Sequence, residues 1–135
     1  MANNKFNRFQ KFNRKQVFAV DSSLFREDTY FSAKDLFEYD NNESSPHTLL
    51  GFWRHDFSSD VIAAHPGMPS YKYTLGVKLA EDDYVYVNAP LYMNKDFDEI
   101  AQDKSLVAEI NKGNCNICAF AYEKYADTQY GIEFC

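Results

Sequence analysis

The stretch YKYTLGVKLAEDDYVYV, residues 71–87, carries the pattern of a β-hairpin. From Tyr71 to Leu79, apolar residues alternate with polar residues or glycine, which is the period-two pattern of a strand with one buried face. An acidic turn separates this strand from a second, 84–87, in which tyrosine and valine alternate. The stretch therefore predicts a sheet that packs one face in the core.

The second strand of this hairpin places its two residue types on opposite faces of the sheet. If Val85 and Val87 face the core, Tyr84 and Tyr86 lie on the other face, where their rings can stack with the bases of a nucleic acid strand. The alternative is that the two tyrosines only cover the sheet.

The segment after the hairpin predicts one long helix over 94–112. Asn94 is a suitable N-cap for this helix and Gly113 a suitable stop. The polar run at 103–105 interrupts the apolar face of this helix.

Shorter elements complete the domain on either side of this unit. At 135 residues the chain is expected to form a single α+β domain, with a mainly antiparallel sheet packed by the one main helix. A small open barrel is the alternative closure of that sheet. The other predicted elements are a strand at 16–20, a helix at 33–39 capped by Ser32 in a box with Asp35, a strand at 48–54, a long loop at 56–70, and closing strands at 116–125 and 130–135.

Charge divides the chain into two unequal parts. Residues 1–15 hold five cations and no acid, whereas residues 16–135 hold nine cations and all twenty acids, a formal net charge of −11 (9 − 20). The sequence therefore predicts a basic, aromatic arm at 1–15 and an acidic α+β domain at 16–135. It contains neither a run of about 18 apolar residues nor a secretory signal, and its three cysteines fit a reducing cytoplasm.

The arm interleaves cations with phenylalanines. The motif Lys-Phe-Asn-Arg occurs at 5–8 and again at 11–14. Cations neutralise the phosphates of a nucleic acid, and phenylalanine rings stack on its bases. Two other structures remain open: an amphipathic helix docked on the body, and an arm paired with the acidic body. The predicted nucleic-acid contacts of the arm are Lys5, Phe6, Arg8, Phe9, Lys11, Phe12, Arg14 and Lys15.

The acidic body suits a different partner. Asp96, Glu99 and Asp103 are three and four residues apart, so they would share one face of the predicted helix. With the acids of the hairpin turn they would form a surface that mimics nucleic acid and occupies a basic groove, because complementary fields steer association. The turn acids are Glu81, Asp82 and Asp83.

Side chains that suit metal or catalytic chemistry are present but lack a complete pattern. Cys115 and Cys118 form a CxxC pair, and a zinc site would need two further ligands. The candidates for those ligands are Cys135, His47, His55 and His65. The loop candidates for a metal-dependent reaction are His55, Asp56, Asp60 and His65. Because no phosphate loop, GxSxG or HExxH motif accompanies them, we expect no enzyme activity, no cofactor and no metal.

One segment carries a family resemblance. Asn88-Ala89-Pro90, Phe97-Asp98-Glu99-Ile100 and the run DKSLVAEINKG at 103–113 resemble small early-region proteins of phages that infect low-GC Gram-positive bacteria. Proteins of that group often serve phage DNA metabolism or block host defence. The resemblance therefore implies one of those roles in the host cytoplasm, and it assigns no functional residue.

The sequence thus leads to two functional hypotheses with opposite partners. The first is a non-enzymatic, nucleic-acid-associated protein that binds a single strand through its arm, with Tyr84 and Tyr86 as a secondary stacking platform. The alternative is a phage-type inhibitor, anti-CRISPR or anti-restriction, whose acidic surface binds a basic nucleic-acid-processing protein. Comparing binding to nucleic acid with binding to host proteins separates the two.

Overall fold

The computed structural model describes residues 17–18 and 24–135, and within them the architecture is α+β, as predicted. The predicted arm at 1–15 lies outside the described residues. The described strands are β1 (Val17–Phe18), β2 (Phe25–Phe31), β3 (His47–Asp56), β4 (Tyr71–Ala80), β5 (Asp83–Asn88), β6 (Asn116–Lys124) and β7 (Asp127–Phe134). The α-helices are α1 (Ala33–Tyr39), α2 (Ser59–Ala64), α3 (Asn94–Gln102) and α4 (Lys104–Asn111), and a 3-10 turn at Leu91–Met93 precedes α3.

The strands form one sheet in the order β2-β5-β4-β3-β6-β7, and β1 pairs with β3. Every pairing is antiparallel except that of β2 with β5, so the sheet is mainly antiparallel, as predicted. The described part of the sheet is open and does not close into the barrel that was the alternative prediction.

Contacts between elements at the two ends of the sheet indicate that the sheet is strongly curved. In a flat sheet β2 and β7 would lie five strand spacings, about 24 Å, apart. Yet the ammonium group of Lys34, three residues after β2, lies 5.9 Å from the ring centroid of Tyr130 in β7. The ring of Phe37 in α1 lies 5.8 Å from the same ring. Helix α1 therefore lies against both β2 and β7.

The inner face of the sheet carries the core, and the helices cover it. Leu75, Val77, Val85 and Val87 are fully buried there, which confirms the alternation predicted for the central hairpin. The helices add apolar side chains to the same cluster, with Leu36 from α1, Phe97 from α3 and Ile110 from α4.

The predicted helix over 94–112 is wrong in its continuity, because the chain leaves the helical conformation at Asp103. The Asp103 carboxylate accepts hydrogen bonds from the backbone N–H groups of Ser105 (3.0 Å) and Leu106 (3.3 Å), which makes it the N-cap of α4. Asn94 is likewise not a cap: it is the first residue of α3, and its side chain donates to the carbonyl oxygen of Tyr71 (2.8 Å).

Two predicted helix ends are confirmed. Ser32 and Asp35 form the predicted capping box at the start of α1. Gly113, at φ +79°, ends α4 in a Schellman motif, in which its N–H bonds the carbonyl of Ile110 and the N–H of Asn114 bonds that of Glu109.

The long loop predicted at 56–70 contains the short helix α2, which Ser58 caps by accepting from the N–H of Val61 (3.3 Å). None of the residues of α2 is buried, and Val61 and Ile62 are exposed. No helix in the described parts of the chain is long and apolar enough to cross a membrane.

Candidate functional site

At Ile132, a side chain rather than another strand forms hydrogen bonds with the outer edge of β7. The hydroxyl group of Tyr92, in the 3-10 turn after β5, donates to the carbonyl oxygen of Ile132 (2.7 Å) and accepts from its N–H group (2.9 Å). One hydroxyl therefore satisfies both backbone groups that an edge strand exposes at this residue. The bond pair also holds the Tyr92 ring at the surface, where 58% of the residue is exposed.

A glycine gives Tyr92 and a second aromatic ring room on this surface. Gly131 in β7 pairs with Phe120 in β6, whose ring lies across the glycine. A Cβ at residue 131 would lie 2.5 Å from Cζ of Phe120 and 2.8 Å from the hydroxyl oxygen of Tyr92. Glycine is therefore required here for the close approach of two side chains.

A third aromatic ring and two acidic side chains complete the surface. The ring of Tyr122 lies 5.8 Å from that of Phe120, and 41% of Tyr122 is exposed. Burial raises the pKa of Tyr92, the bond with Ile132 lowers it, and the nearby groups of Tyr122, Glu133 and Asp96 raise it again. Glu133 follows Ile132, the residue that Tyr92 bonds, and Asp96 lies in the first turn of α3, four residues after Tyr92; both acids are exposed. We call this surface the tyrosine face; it consists of Tyr92, Phe120, Tyr122, Asp96 and Glu133.

The composition of the tyrosine face suits protein recognition. Tyrosine combines a large apolar ring with a polar tip, and it is among the residues that dominate binding energy in protein interfaces. Carboxylates beside exposed rings can bind a lysine or arginine through both charge and cation–π contact.

The charge of the surrounding domain has the same sign. Residues 24–135 carry nine cations and nineteen acids, a formal net charge of −10 (9 − 19). Five of the nine cations, Arg26, Lys34, Arg54, Lys78 and Lys112, are ion-paired to acids of the same chain. The field of the domain therefore attracts cationic partners.

The predicted stacking pair, Tyr84 and Tyr86, lies on the outer face of the sheet as expected, but in a cluster of rings. Tyr86 stacks on Phe25 (4.7 Å between centroids, 3° between planes) and on Tyr30 (5.4 Å), and it meets Trp53 edge-on (5.1 Å). Burial raises the pKa of Tyr86. The ring of Tyr86 is thus in contact with three other rings of this chain, and among these rings Tyr30 is the most exposed, at 51%.

The acids predicted to form one mimic surface fall into two groups. Asp98, between Asp96 and Glu99 in α3, accepts from the hydroxyl groups of tyrosines at the start of β4. The turn of Glu81, Asp82 and Asp83 follows the end of that strand, which is about 30 Å long. The structure therefore does not bring the helix acids and the turn acids together.

Two of these predicted acids also have structural roles. Asp83 binds the guanidinium group of Arg26 through two hydrogen bonds (2.7 and 2.8 Å), which hold the pKa of its carboxyl below the ordinary value. Asp103 caps α4, and hydrogen bonds from the hydroxyl group of Ser105 (2.6 Å) and from the backbone N–H groups of Leu106 and Ser105 lower the pKa of its carboxyl group.

A polar cluster that the sequence did not reveal ties α3 to the sheet. Asp98 accepts hydrogen bonds from Tyr71 and from Tyr73 (2.6 Å). The guanidinium group of Arg54 lies 3.8 Å above the centroid of the Tyr71 ring. Burial, with the bond to Asp98, raises the pKa of Tyr73, so its hydroxyl stays protonated and acts as a donor.

The candidate metal ligands are dispersed or engaged elsewhere. In the described chain, no three His, Cys, Asp or Glu side chains are grouped so that they could hold a metal ion. The Nε2 atom of His47 lies 2.8 Å from the carboxylate of Asp40, and this pair is buried. Burial raises the pKa of the Cys135 thiol to about 12, and a hydrogen bond with Cys118 acts in the same direction.

A cavity of about 400 Å³ lies between α4 and the paired ends of β6 and β7. Its walls are mainly apolar, and its thiols are neutral, because burial also raises the pKa of Cys115. The lining side chains include Ile100, Leu106, Ile110, Cys115, Phe134 and Cys135.

The sequence reasoning missed the tyrosine face, and only Gly131, between alternating residues of a strand, gave a local signal for it.

Comparisons with protein-family models, curated proteins and solved structures found no match for this chain.

Proposed function

We propose that this chain is a non-enzymatic protein that binds a basic protein partner through the tyrosine face. The observation that carries the proposal is that two exposed tyrosines, Tyr92 and Tyr122, share a surface with two exposed acids, Asp96 in the first turn of α3 and Glu133 next to the residue that Tyr92 bonds. The partner surface is one that otherwise binds nucleic acid, because such surfaces display the arginines and lysines that this face complements. The protein acts there as an inhibitor of a nucleic-acid enzyme.

The test uses the full chain and the heparin-binding protein fraction of a low-GC Gram-positive bacterium as the probe. A protein retained by the immobilised chain is purified, and its affinity for the chain is measured at several salt concentrations. The double variant Asp96→Lys/Glu133→Lys should weaken binding at least tenfold, mainly through slower association. Tyr122→Ala, which leaves the charge unchanged, should accelerate dissociation.

A matched control separates the face from the overall field. Glu38→Lys/Glu43→Lys makes the same change in net charge at exposed acids outside the tyrosine face. The proposal predicts that this control variant keeps most of the affinity for the partner. It also predicts that the parent chain, on binding the partner, displaces a single-stranded oligonucleotide from it. Equal losses in the two double variants would show that only net charge matters, and the proposal would then fail.

A second function is favoured by one observation on the outer face of the sheet. Lys78 pairs directly with Tyr84 across β4 and β5, which places a cation beside the ring cluster. Together with the arm at 1–15, this face would bind a nucleic acid strand. The salt dependence of the affinity for an oligonucleotide tests that function.

A further inference from the structure

The β6–β7 hairpin extends beyond the body of the domain. The residues from 121 to 129 are all exposed, although residues 117–119 and 131–132 of the same two strands are buried. The distal part of the hairpin therefore contributes little to the core.

The turn at the end of the hairpin has an unfavourable sequence for its conformation. Lys124 pairs with Asp127, and the two residues between them, Tyr125 and Ala126, have φ values of +54° and +64°. This is the geometry of a two-residue type I′ turn, for which Asn-Gly is the preferred sequence. Residues with a Cβ atom are strained in the left-handed region, so this turn holds two strained residues in succession.

Tyr125, the first of these two turn residues, has the most exposed large apolar side chain among the described residues. Tyr125 is 89% exposed, and the ammonium group of Lys124 lies 5.5 Å from the centroid of its ring. Glu123 and Asp127 lie two residues to either side of it, and Glu123 accepts a hydrogen bond from the hydroxyl group of Thr128 (2.9 Å). The turn thus places an aromatic ring at the tip of a projecting hairpin, where two acids outnumber one lysine.

We infer that Tyr125 is an anchor side chain, which the hairpin inserts into an apolar pocket with a basic rim on the protein partner. The inference rests on the proposed function, since the partner is the one that binds the tyrosine face. Tyr122, three residues before the anchor, belongs to that face, so the tip continues the same interface. The two carboxylates outnumber Lys124, so the net charge of the tip favours a basic rim, and the inserted ring supplies the affinity.

The experiment exchanges the turn sequence in the full chain and measures stability and binding together. Tyr125→Asn/Ala126→Gly installs the preferred type I′ sequence, so it should raise the melting temperature by a few degrees. It should also weaken binding at least tenfold to the partner purified from the heparin-binding fraction. Ala126→Gly alone is the matched control, because it relieves strain at one residue and keeps the ring; it should raise the melting temperature and retain the affinity.

The outcomes separate this inference from the function on which it rests. If Tyr125→Asn/Ala126→Gly keeps full affinity while Asp96→Lys/Glu133→Lys loses it, the anchor is wrong and the tyrosine face stands. If both double variants keep full affinity, both proposals are wrong. A lower melting temperature in Tyr125→Asn/Ala126→Gly would show that the turn is not strained, which would also overturn the inference.

Discussion

Tyr92 and Ile132 are forty residues apart in the chain, and a single hydroxyl group joins them through two hydrogen bonds, one donated and one accepted. The contact fastens the segment that leads into α3 to the free edge of β7. It also orients the ring on which the tyrosine face is built.

Tyr92→Phe should therefore loosen this edge. The variant keeps the ring but leaves the carbonyl and N–H groups of Ile132 without their partner, which should reduce the free energy of unfolding by about 0.5–1.5 kcal/mol. Urea denaturation measures the loss, and hydrogen exchange at the Ile132 amide should accelerate. Tyr122→Phe is the control, and unchanged exchange at Ile132 in Tyr92→Phe would contradict the bridging role.

Gly131→Ala should destabilise the hairpin through a clash rather than through backbone strain. The added methyl group would meet the ring of Phe120, and moving a packed ring costs roughly 1–3 kcal/mol. Phe120→Leu in the same chain should recover part of this free energy, because it removes the atoms that clash. A double-mutant cycle by thermal denaturation tests the coupling, and strictly additive effects would rule out the contact.

The break between α3 and α4 predicts that helix acids differ in their tolerance of charge reversal. Asp103→Lys removes the cap of α4 and should lower the melting temperature by a few degrees. Glu99→Lys, the same single charge reversal at an exposed acid beyond the first turn of α3, should leave it nearly unchanged. Thermal denaturation of the two variants compares them directly, and equal melting temperatures would mean that the cap contributes nothing.

Asp83 should make stability depend on acidic pH. Its pKa is lower in the folded chain than in the unfolded chain because of Arg26, so its contribution is present above the unfolded value and is lost as pH falls through the folded value. Asp83→Asn should thus be less stable than the parent at pH 7, and the difference in the free energy of unfolding should close as pH falls through the folded pKa of Asp83. Urea titrations over a series of acidic pH values measure this difference, and a difference that persists at the lowest pH would exclude the linkage.

The arm at 1–15 predicts a distinct salt dependence for nucleic acid binding. Five phosphate contacts with a single strand give a slope of about −3.5 in a plot of log affinity against log salt. Deleting residues 1–15 should abolish this binding and leave the melting temperature of the domain unchanged. Oligonucleotide anisotropy measures both chains, and equal affinity before and after the deletion would exclude the arm as the binding element.

Local patterns predicted the regular elements of this fold well. The alternation in β4 and β5, the capping box of α1 and the stop at Gly113 each depend on residues close in sequence, so the sequence contains the information directly. The continuity of 94–112 was wrong because Asp103 bonds the N–H groups ahead of it, and this local competitor outweighs the helical pattern.

The candidate site depends on contacts that no local pattern contains. Tyr92 meets Ile132, and Asp98 meets Tyr71, only because the curved sheet brings distant elements together. Sequence alone showed the acidic charge of the domain, but it could not show which acids share a surface. For the same reason, Tyr86 was predicted as an available ring, whereas the pairing of β2 with β5 brings Phe25 and Tyr30 to stack with it.

The parallel pairing of β2 with β5 has a consequence for the order of folding. In the described chain, β2 has no other strand partner, and Phe31 must wait for Val87, 56 residues later (87 − 31). The β4–β5 and β6–β7 hairpins close short loops and can form first, so β2 joins the sheet late. Its arrival stacks Phe25 on Tyr86, beside Trp53, the sole tryptophan. The chain thus carries an intrinsic fluorescent reporter for the docking of β2 on β5.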